Sequence, residues 1–292
     1  MNIPRIASLL SIVSFLGFSA TASAAVFHLD QFSVSRNGSL IFNDSFDGGG
    51  PPPQAPNFLS NGNPASYLVQ GTMGPEVGGK LTLNPAQDGI LVSNLAGNPD
   101  NLVQKATLQT NVNPTLPNSG LKQGSAFAIQ AVYDLISPDV MLREGYGIRF
   151  EDFSGVSGGN DVYELAVRRL AGNNIALSFR ELDFINDVIT DISGYILSAP
   201  DLLNQQVMLQ LSTVGTSNSI QAGYAFGNGG VFGATTFLTG TGSIFTDENF
   251  TRGVIIARTA PAQLPLPATL WLVLAGLGAL GYSRRQARVG QR

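Results

Sequence analysis

The chain has 292 residues, of which 43% are hydrophobic and 12% charged, and its formal net charge is -4. It contains no cysteine and a single histidine, which excludes thiol nucleophiles, thiolate metal sites, disulfides and multi-histidine metal centres. All twenty acidic residues lie within residues 25–260, whereas five of the sixteen basic residues lie outside that range. The central part is therefore acidic, which argues against nucleic acid and anionic lipid as partners.

The first 24 residues predict a secretory signal peptide. Arg5 gives a short basic start, the stretch Ile6–Phe18 is apolar, and Ala22-Ser23-Ala24 is a small-x-small cleavage site. The apolar stretch is short and interrupted by serines, which favours cleavage over an uncleaved anchor. We therefore expect the mature chain to begin near Ala25.

Residues 25–260 predict a single β-sandwich domain. Short runs of alternating apolar and polar residues are separated by Gly, Asn, Asp and Pro, which is typical of strands joined by turns. Because no crossover helices are predicted between them, an antiparallel two-sheet sandwich is expected. The Pro/Gly-rich stretch Gly48–Pro53 is interpreted as a surface loop. The clearest strand runs are Phe127–Leu135, Tyr146–Phe153, Tyr163–Leu170, Ile175–Phe184, Val207–Leu211, Ile220–Phe226 and Val254–Ala257.

The order and size of these runs resemble a concanavalin A-like jelly roll of the laminarinase or laminin-G type. The segment Phe42–Phe46 precedes a long loop, Gly79–Leu83 is a late strand, and the central strands follow. The resemblance is one of pattern over about 230 residues and includes no diagnostic motif. It implies an all-β fold with a concave face, on which lectins and glycosidases of this type bind sugars.

The segment Glu181 to Asp187 resembles the Glu-x-Asp-x-(x)-Glu strand of laminarinase-like glycoside hydrolases. The resemblance makes Glu181 the nucleophile and Asp183 its partner. The acid position falls on Ile185 or Asn186, neither of which can donate the proton, and Asp187 would be roughly 13 Å from Glu181 along a strand. No catalytic residue is therefore assigned. Glu181 and Asp183 are interpreted as part of a solvent-facing acidic strand, or else of a vestigial glycan groove.

Carboxylates in Gly-rich loops could hold a calcium ion, and Asp152 and Asp161 flank such a loop. Because no spacing matches a calcium motif, ordinary turn chemistry is the favoured interpretation and no cofactor is predicted. His28 is interpreted as a solvent-facing strand residue. Arg168 and Arg169 are adjacent in a strand, so they should point to opposite faces and form no patch together. Five strand tyrosines could stack on sugar rings, but most of them are expected to be half-buried core residues; the five are Tyr133, Tyr146, Tyr163, Tyr195 and Tyr224.

The C-terminal region predicts a membrane segment. Leu264–Tyr282 is 19 residues long and contains no charge, so as a helix it would span roughly 28 Å. The residues after it include four arginines and no acid, which places the C-terminus in the cytoplasm and the preceding chain outside. These residues are Arg284, Arg285, Arg288 and Arg292.

This arrangement resembles a PEP-CTERM sorting signal, in the variant whose motif is Val-Pro-Leu-Pro-Ala. Leu264 stands where valine is usual, and the matching residues are Pro265, Leu266, Pro267 and Ala268. The resemblance covers residues 261–292, with the motif at 264–268, a transmembrane helix at 268–282 and a basic tail at 284–292. It implies processing by an exosortase, a membrane cysteine protease of exopolysaccharide-producing Gram-negative bacteria. The alternative is an ordinary anchor that is never cut.

Together these features predict an exported protein of the cell surface or extracellular matrix, without catalytic activity and associated with exopolysaccharide or biofilm. Its precursor is expected to be anchored in the inner membrane and to face the periplasm before release or transfer to the surface. The expected partners are the exosortase, the membrane through the C-terminal helix, and polysaccharide, but not nucleic acid. Two alternatives stay open: a lectin-like glycan-binding module, and a polysaccharide hydrolase or lyase with a degenerate site.

Overall fold

The computed structural model describes the strands of the central region and several of their turns. The described residues are 26–47, 68–72, 74, 76–92, 101–111, 124–135, 145–152, 161–169, 174–183, 188–198, 205–243 and 250–258. The predicted signal peptide, the Gly48–Pro53 loop and the sorting segment lie outside them. Within these described ranges, no helix is long and apolar enough to cross a membrane.

The described residues form two antiparallel sheets. The first sheet has nine strands, with β2, β1, β7, β12, β13 and β14 side by side. Its strands are β1 (Phe27–Arg36), β2 (Ser39–Asp44), β4 (Leu81–Leu83), β7 (Phe127–Asp134), β12 (Gln206–Thr213), β13 (Ser219–Asn228), β14 (Val231–Phe232), β15 (Thr236–Phe237) and β16 (Gly242–Ser243).

The second sheet has eight strands, with β3, β6, β17, β8, β9, β10 and β11 side by side and β5 also paired with β6. Its strands are β3 (Leu68–Gln70), β5 (Ile90–Val92), β6 (Asn101–Asn111), β8 (Gly145–Asp152), β9 (Asp161–Arg169), β10 (Asn174–Asp183), β11 (Val188–Ser198) and β17 (Phe250–Arg258). A single helical turn, α1 (Pro85–Asp88), lies between β4 and β5, and the Asn84 side chain accepts a hydrogen bond from the Gln87 N–H at its start.

The predicted two-sheet antiparallel β-sandwich is confirmed for the described residues. Each of the seven strand runs named from the sequence corresponds to a strand, namely β7, β8, β9, β10, β12, β13 and β17. His28 lies on β1 with a half-buried side chain, between the buried Phe27 and Leu29. Because strand side chains alternate, His28 therefore points away from the core, as predicted.

The core lies between the two sheets and is filled by one face of each long strand. In β10, Ile175, Leu177 and Phe179 are buried, whereas the alternating Ala176 and Ser178 are less buried. The same period-two pattern in β1, β7, β8, β9, β12 and β13 supplies the facing side chains. With no cysteine in the chain, packing of these apolar side chains has to hold the sheets together.

Two buried tyrosines connect the sheets reciprocally. The Tyr133 hydroxyl of β7 donates to the Gly147 carbonyl of β8 at 2.9 Å, and the Tyr146 hydroxyl of β8 donates to the Asp134 carbonyl of β7 at 3.2 Å. Their rings stack with centroids 4.2 Å apart. Burial raises the pKa of both phenols well above the ordinary value, so both stay neutral donors. Each ring thus contributes apolar area and a specific hydrogen bond to the opposite sheet.

A third tyrosine connects the sheets at a second point. The Tyr163 hydroxyl of β9 donates to the Ser243 carbonyl at 2.7 Å and accepts from the Ser243 N–H at 3.0 Å. Its ring lies against Gly242, where an added Cβ would be 2.1 Å from the ring. Glycine is therefore required at this position for the backbone of β16 to reach the phenol.

Candidate functional site

The outer face of the eight-stranded sheet, on the side away from the core, contains a cluster of charged residues. Strand register places one residue from each of β8, β9 and β10 in a single row, namely Arg149, Glu164 and Arg180. Neighbouring rows of the same face add further charges from β6, β8, β9 and β17. We call this cluster the charged face; it comprises Lys105, Arg149, Glu151, Glu164, Arg168, Arg180, Arg252 and Arg258. Its six basic residues outnumber its two acidic residues.

These charges are outside the core because each alternates with a core residue along its strand. Arg149 lies between the fully buried Ile148 and Phe150, and Arg180 follows the fully buried Phe179. Successive side chains of a strand point to opposite faces, so burial of the apolar residues forces the charges onto the outer face. The face is nevertheless poorly exposed, since Glu164 and Glu151 are fully buried and the Arg180 side chain is 10% exposed.

Glu164 is the common partner of four arginines. Its Oε2 accepts a hydrogen bond from Arg149 Nε at 2.7 Å and another from Arg258 Nη2. Its Oε1 lies 3.3 Å from Arg180 Nη2 and 3.7 Å from Arg168 Nη2. Burial raises the pKa of Glu164, but the charges of Arg258, Arg149 and Arg180 outweigh burial and hold that pKa well below its ordinary value. Glu164 is therefore ionised throughout the physiological range.

Glu151 forms the second centre of the charged face. Its Oε1 lies 2.5 Å from Lys105 Nζ and 3.6 Å from Arg149 Nη1, so Arg149 lies between the two carboxylates. Burial lowers the pKa of Lys105, and the Glu151 charge opposes that change. Burial likewise lowers the pKa of Arg258 to about 10. Arg258 thus keeps its charge at neutral pH despite its burial.

Small residues explain how the long arginines reach Glu164. Gly147, Ala166 and Ser178 form a row across β8, β9 and β10, between the row of Glu164 and the row of Arg168. A Cβ at Gly147 would be 2.4 Å from the Leu165 carbonyl oxygen, so no side chain fits there. The row leaves space for the side chains of the next row to lie across the face.

One side of the charged face has unused hydrogen-bond donors. Arg168 Nε, Arg180 Nε and Arg180 Nη2 are buried and have no hydrogen-bond partner among the residues that the structure describes. Glu164 Oε1 and Ser178 Oγ are also buried and have no hydrogen-bond partner among the described residues. Buried polar groups are normally hydrogen-bonded, so these groups lack the hydrogen-bond partners that are usual for buried atoms. Guanidinium donors in this state can bind an oxyanion such as a carboxylate.

The outer face of the nine-stranded sheet has a different chemistry. Gln130 donates to Gln210 at 2.7 Å across β7 and β12, and Gln31 donates to Asn43 at 2.6 Å across β1 and β2. This face is rich in amide and hydroxyl groups, and it also contains ion pairs of Lys80 with Asp134 at 2.6 Å and with Asp30 at 3.2 Å. The two outer faces therefore differ in charge, because basic residues outnumber acidic ones in the charged face, whereas this ionic cluster has one lysine and two aspartates.

The carboxylates named from the sequence do not lie on the charged face. Glu181 and Asp183 are in register with Tyr163 and Asp161, and Tyr163 points into the core. Glu181 and Asp183 therefore occupy strand positions of the inner face, whereas Glu164 occupies a position of the outer face. Strand β10 ends at Asp183, and residues 184–187 lie outside the described part of the chain.

The residues proposed for calcium lie at strand ends. Asp152 ends β8 and Asp161 begins β9, and the register of these strands places the two backbones side by side. In the portions of the chain that the structure describes, no group of three or more His, Cys, Asp and Glu residues could hold a metal ion. Calcium binding stays a prediction. The sorting-motif residues lie outside the described ranges; they are Pro265, Leu266, Pro267, Ala268, Arg284 and Arg285.

The expectation that most strand tyrosines belong to the core is confirmed. Four of them are buried, and Tyr195 on the edge strand β11 is 52% exposed. The outer-face positions of β8, β9 and β10 contain no aromatic residue. The charged face therefore has no stacking platform on these strands, and a ligand there would be held by charge and hydrogen bonds.

No protein-family model matches this chain, and no curated protein has significant sequence similarity to it. The geometry of the charged face is therefore the main basis for a functional proposal.

Proposed function

We propose that this chain is an exported, non-catalytic protein of the cell surface or extracellular matrix that binds exopolysaccharide through its charged face. The observation that supports this most directly is the surplus of basic residues on one sheet face of an otherwise acidic protein. Acidic polysaccharides are polyanions, and a cluster of basic residues attracts them electrostatically at close approach, within about a Debye length. The proposal therefore takes the lectin-like alternative in preference to a purely structural role.

The proposal also covers the fold family of the two sheets and the route by which the protein is exported. We propose that the two described sheets belong to a concanavalin A-like jelly roll, in which an outer sheet face is a common place for sugar binding. The signal peptide and the motif at 264–268 would take the chain through the inner membrane to an exosortase. The cell surface or the matrix is then where the charged face would meet polysaccharide.

The geometry does not favour a hydrolase. Glycoside hydrolysis needs one carboxyl group that is protonated near neutral pH. The low pKa of Glu164 prevents it from acting as that acid, and Glu151 is fully buried in contact with Lys105 and Arg149. Glu181 and Asp183 have the parity of the opposite face. We therefore propose binding without bond cleavage.

The test is calorimetric titration of the purified protein with exopolysaccharide from the producing organism. We expect a saturable heat that weakens as salt is raised, and no new reducing ends. Continuous heat release accompanied by new reducing ends would replace the proposal with a hydrolase. The absence of any heat at low salt would refute polysaccharide binding and leave a structural role.

A further inference from the structure

We infer that Arg168, Ser178 and Arg180 form a subsite for one carboxylate group of an acidic sugar residue. This inference rests on the proposed polysaccharide binding and specifies its chemistry. The three residues belong to the paired strands β9 and β10 and lie on the same face, with Ser178 between the rows of the two arginines. We call this group the arginine subsite.

The arginine subsite has hydrogen-bond donors that an added anion could satisfy. Both guanidinium groups approach Glu164 Oε1, Arg180 at 3.3 Å and Arg168 at 3.7 Å, but neither forms a hydrogen bond to that oxygen. Three buried guanidinium nitrogens and the Ser178 hydroxyl thus have no hydrogen-bond partner within the described residues. A carboxylate could accept from both guanidinium groups and from the hydroxyl, because each of its oxygens has two lone pairs.

The charge balance is also incomplete at this end of the charged face. At the other end Glu151 is in close contact with Lys105, at 2.5 Å. The two hydrogen bonds that Glu164 accepts come from Arg149 and Arg258 and go to Oε2, which leaves Arg168 and Arg180 with only longer ion-pair contacts to Oε1. An added carboxylate here would therefore neutralise surplus charge.

Arg168 is the more exposed member of the arginine subsite. Its side chain is 27% exposed, compared with 10% for Arg180. One partly exposed guanidinium group can meet a single carboxylate projecting from a sugar ring. A nucleic acid backbone instead needs several exposed cations, and single strands also need aromatic stacking, which the outer-face positions of β8, β9 and β10 lack. The geometry therefore favours an acidic polysaccharide over a nucleic acid.

The substitutions Arg168→Gln and Arg180→Gln test the inference, with Ser178→Ala as a variant that changes no charge. The matched control is Arg36→Gln, because Arg36 lies on β1 of the other sheet with a half-buried side chain. The full chain is titrated with polygalacturonate, with the same polymer after carboxyl reduction, with dextran sulfate and with duplex DNA. Thermal unfolding of each variant shows that it is folded.

For polygalacturonate we expect each arginine variant to bind at least about tenfold more weakly, since a charge-assisted hydrogen bond contributes about 1.5 kcal/mol or more. Ser178→Ala should lose about threefold, and Arg36→Gln should bind as the wild type. Wild-type affinity should be lower for the carboxyl-reduced polymer and for dextran sulfate.

Three results would overturn the inference while leaving polysaccharide binding intact. These are equal binding of the reduced polymer, tighter binding of dextran sulfate, and unchanged affinity of folded Arg180→Gln. Tighter binding of duplex DNA than of any polysaccharide would overturn both the inference and the proposed function. Failure of every polymer to bind would also refute both.

Discussion

Glu164 is the residue on which the charged face depends. It is fully buried, and Arg149, Arg168, Arg180 and Arg258 all approach its carboxylate. A buried carboxylate of this kind is a poor source of net stability, because desolvation offsets the attraction. Its removal is nevertheless costly, because the four guanidinium groups would then share a desolvated region with no counter-charge between them.

We predict that Glu164→Gln destabilises the fold by about 3–5 kcal/mol, the usual cost of removing one partner from a buried ion pair. Urea unfolding monitored by circular dichroism would measure the change. The control is Asp47→Asn, because Asp47 is exposed and its substitution should change stability by less than about 0.5 kcal/mol. A Glu164 variant as stable as this control would show that the carboxylate does not hold the arginines together.

Stability should also depend on pH through Glu164. Its folded-state pKa is lower than the ordinary value of 4.5, so its contribution is complete above that pH. As the pH falls below 4.5, the unfolded chain binds a proton that the folded Glu164 does not, and stability is lost. Unfolding midpoints measured across this range should therefore converge for the wild type and Glu164→Gln. A constant difference between the two proteins would contradict the lowered pKa.

The sequence could not show this cluster. Glu164 lies between two core residues, Tyr163 and Leu165, and in an amphipathic strand such a position is expected to be solvated. Its arginine partners come from β8, β9, β10 and β17, so only strand register brings them together. The prediction that Arg168 and Arg169 form no patch together compares sequence neighbours, and such a comparison does not indicate that Arg168 joins basic residues from other strands.

At the scale of elements, three tyrosines connect the two sheets by hydrogen bonds, in a protein that has no cysteine and therefore no disulfide between them. Tyr133, Tyr146 and Tyr163 each hydrogen-bond to the backbone of the opposite sheet. These bonds fix the position of one sheet along the other, which apolar packing alone does not specify as strictly. The contact between Tyr163 and Gly242 is the tightest of these connections.

We predict that Gly242→Ala destabilises the protein by about 1–3 kcal/mol, as expected for overpacking. The new methyl group would overlap the Tyr163 ring, 2.1 Å away, and displace the hydrogen bonds to Ser243. Gly194→Ala is the matched control, because the nearest atom to its added Cβ would be 3.8 Å away. Thermal and urea unfolding should separate the two variants. Equal stability of Gly242→Ala and Gly194→Ala would mean that β16 can move to accommodate the new methyl group with no loss of free energy.

Most strands were predictable where apolar and polar residues alternate over five or more residues. The runs for β7 to β10, β12 and β13 were found because burial of one face imposes a period of two on the sequence, whereas β17 was found as the short apolar run Val254–Ala257. Strands β14, β15 and β16 have two residues each, too few to show any period. The turn α1 depends on a local Asn84 cap, and so it also escaped a search for periodic patterns.

At the scale of the whole molecule, charge is distributed unevenly. The chain is acidic overall, yet six of its basic residues meet on one sheet face, whereas the opposite face is amide-rich and has two aspartates around one lysine. An acidic surface repels polyanions at long range, whereas the charged face attracts them at short range. Binding would therefore select ligands that can present an anion directly to this face.

The sorting prediction applies to the whole chain and can be tested in the producing organism. We expect Pro265→Ala combined with Pro267→Ala to block processing, because both prolines belong to the predicted motif and keep it extended. Membrane fractionation with mass measurement of the C-terminus would detect the retained precursor. Pro261→Ala lies outside the motif and should be processed normally. Normal processing of the double variant would contradict the motif assignment.

The position of β17 has a consequence for how the protein is made. It is the last described strand in the chain, but it lies inside the eight-stranded sheet between β6 and β8. Nearly half of the chain separates β6 from β17, and closing such a long loop slows folding. The eight-stranded sheet therefore cannot be completed until residues 250–258 have been synthesised. Because β17 supplies Arg252 and Arg258, the charged face is complete only when β17 has joined the sheet, so a product truncated before residue 250 would lack it.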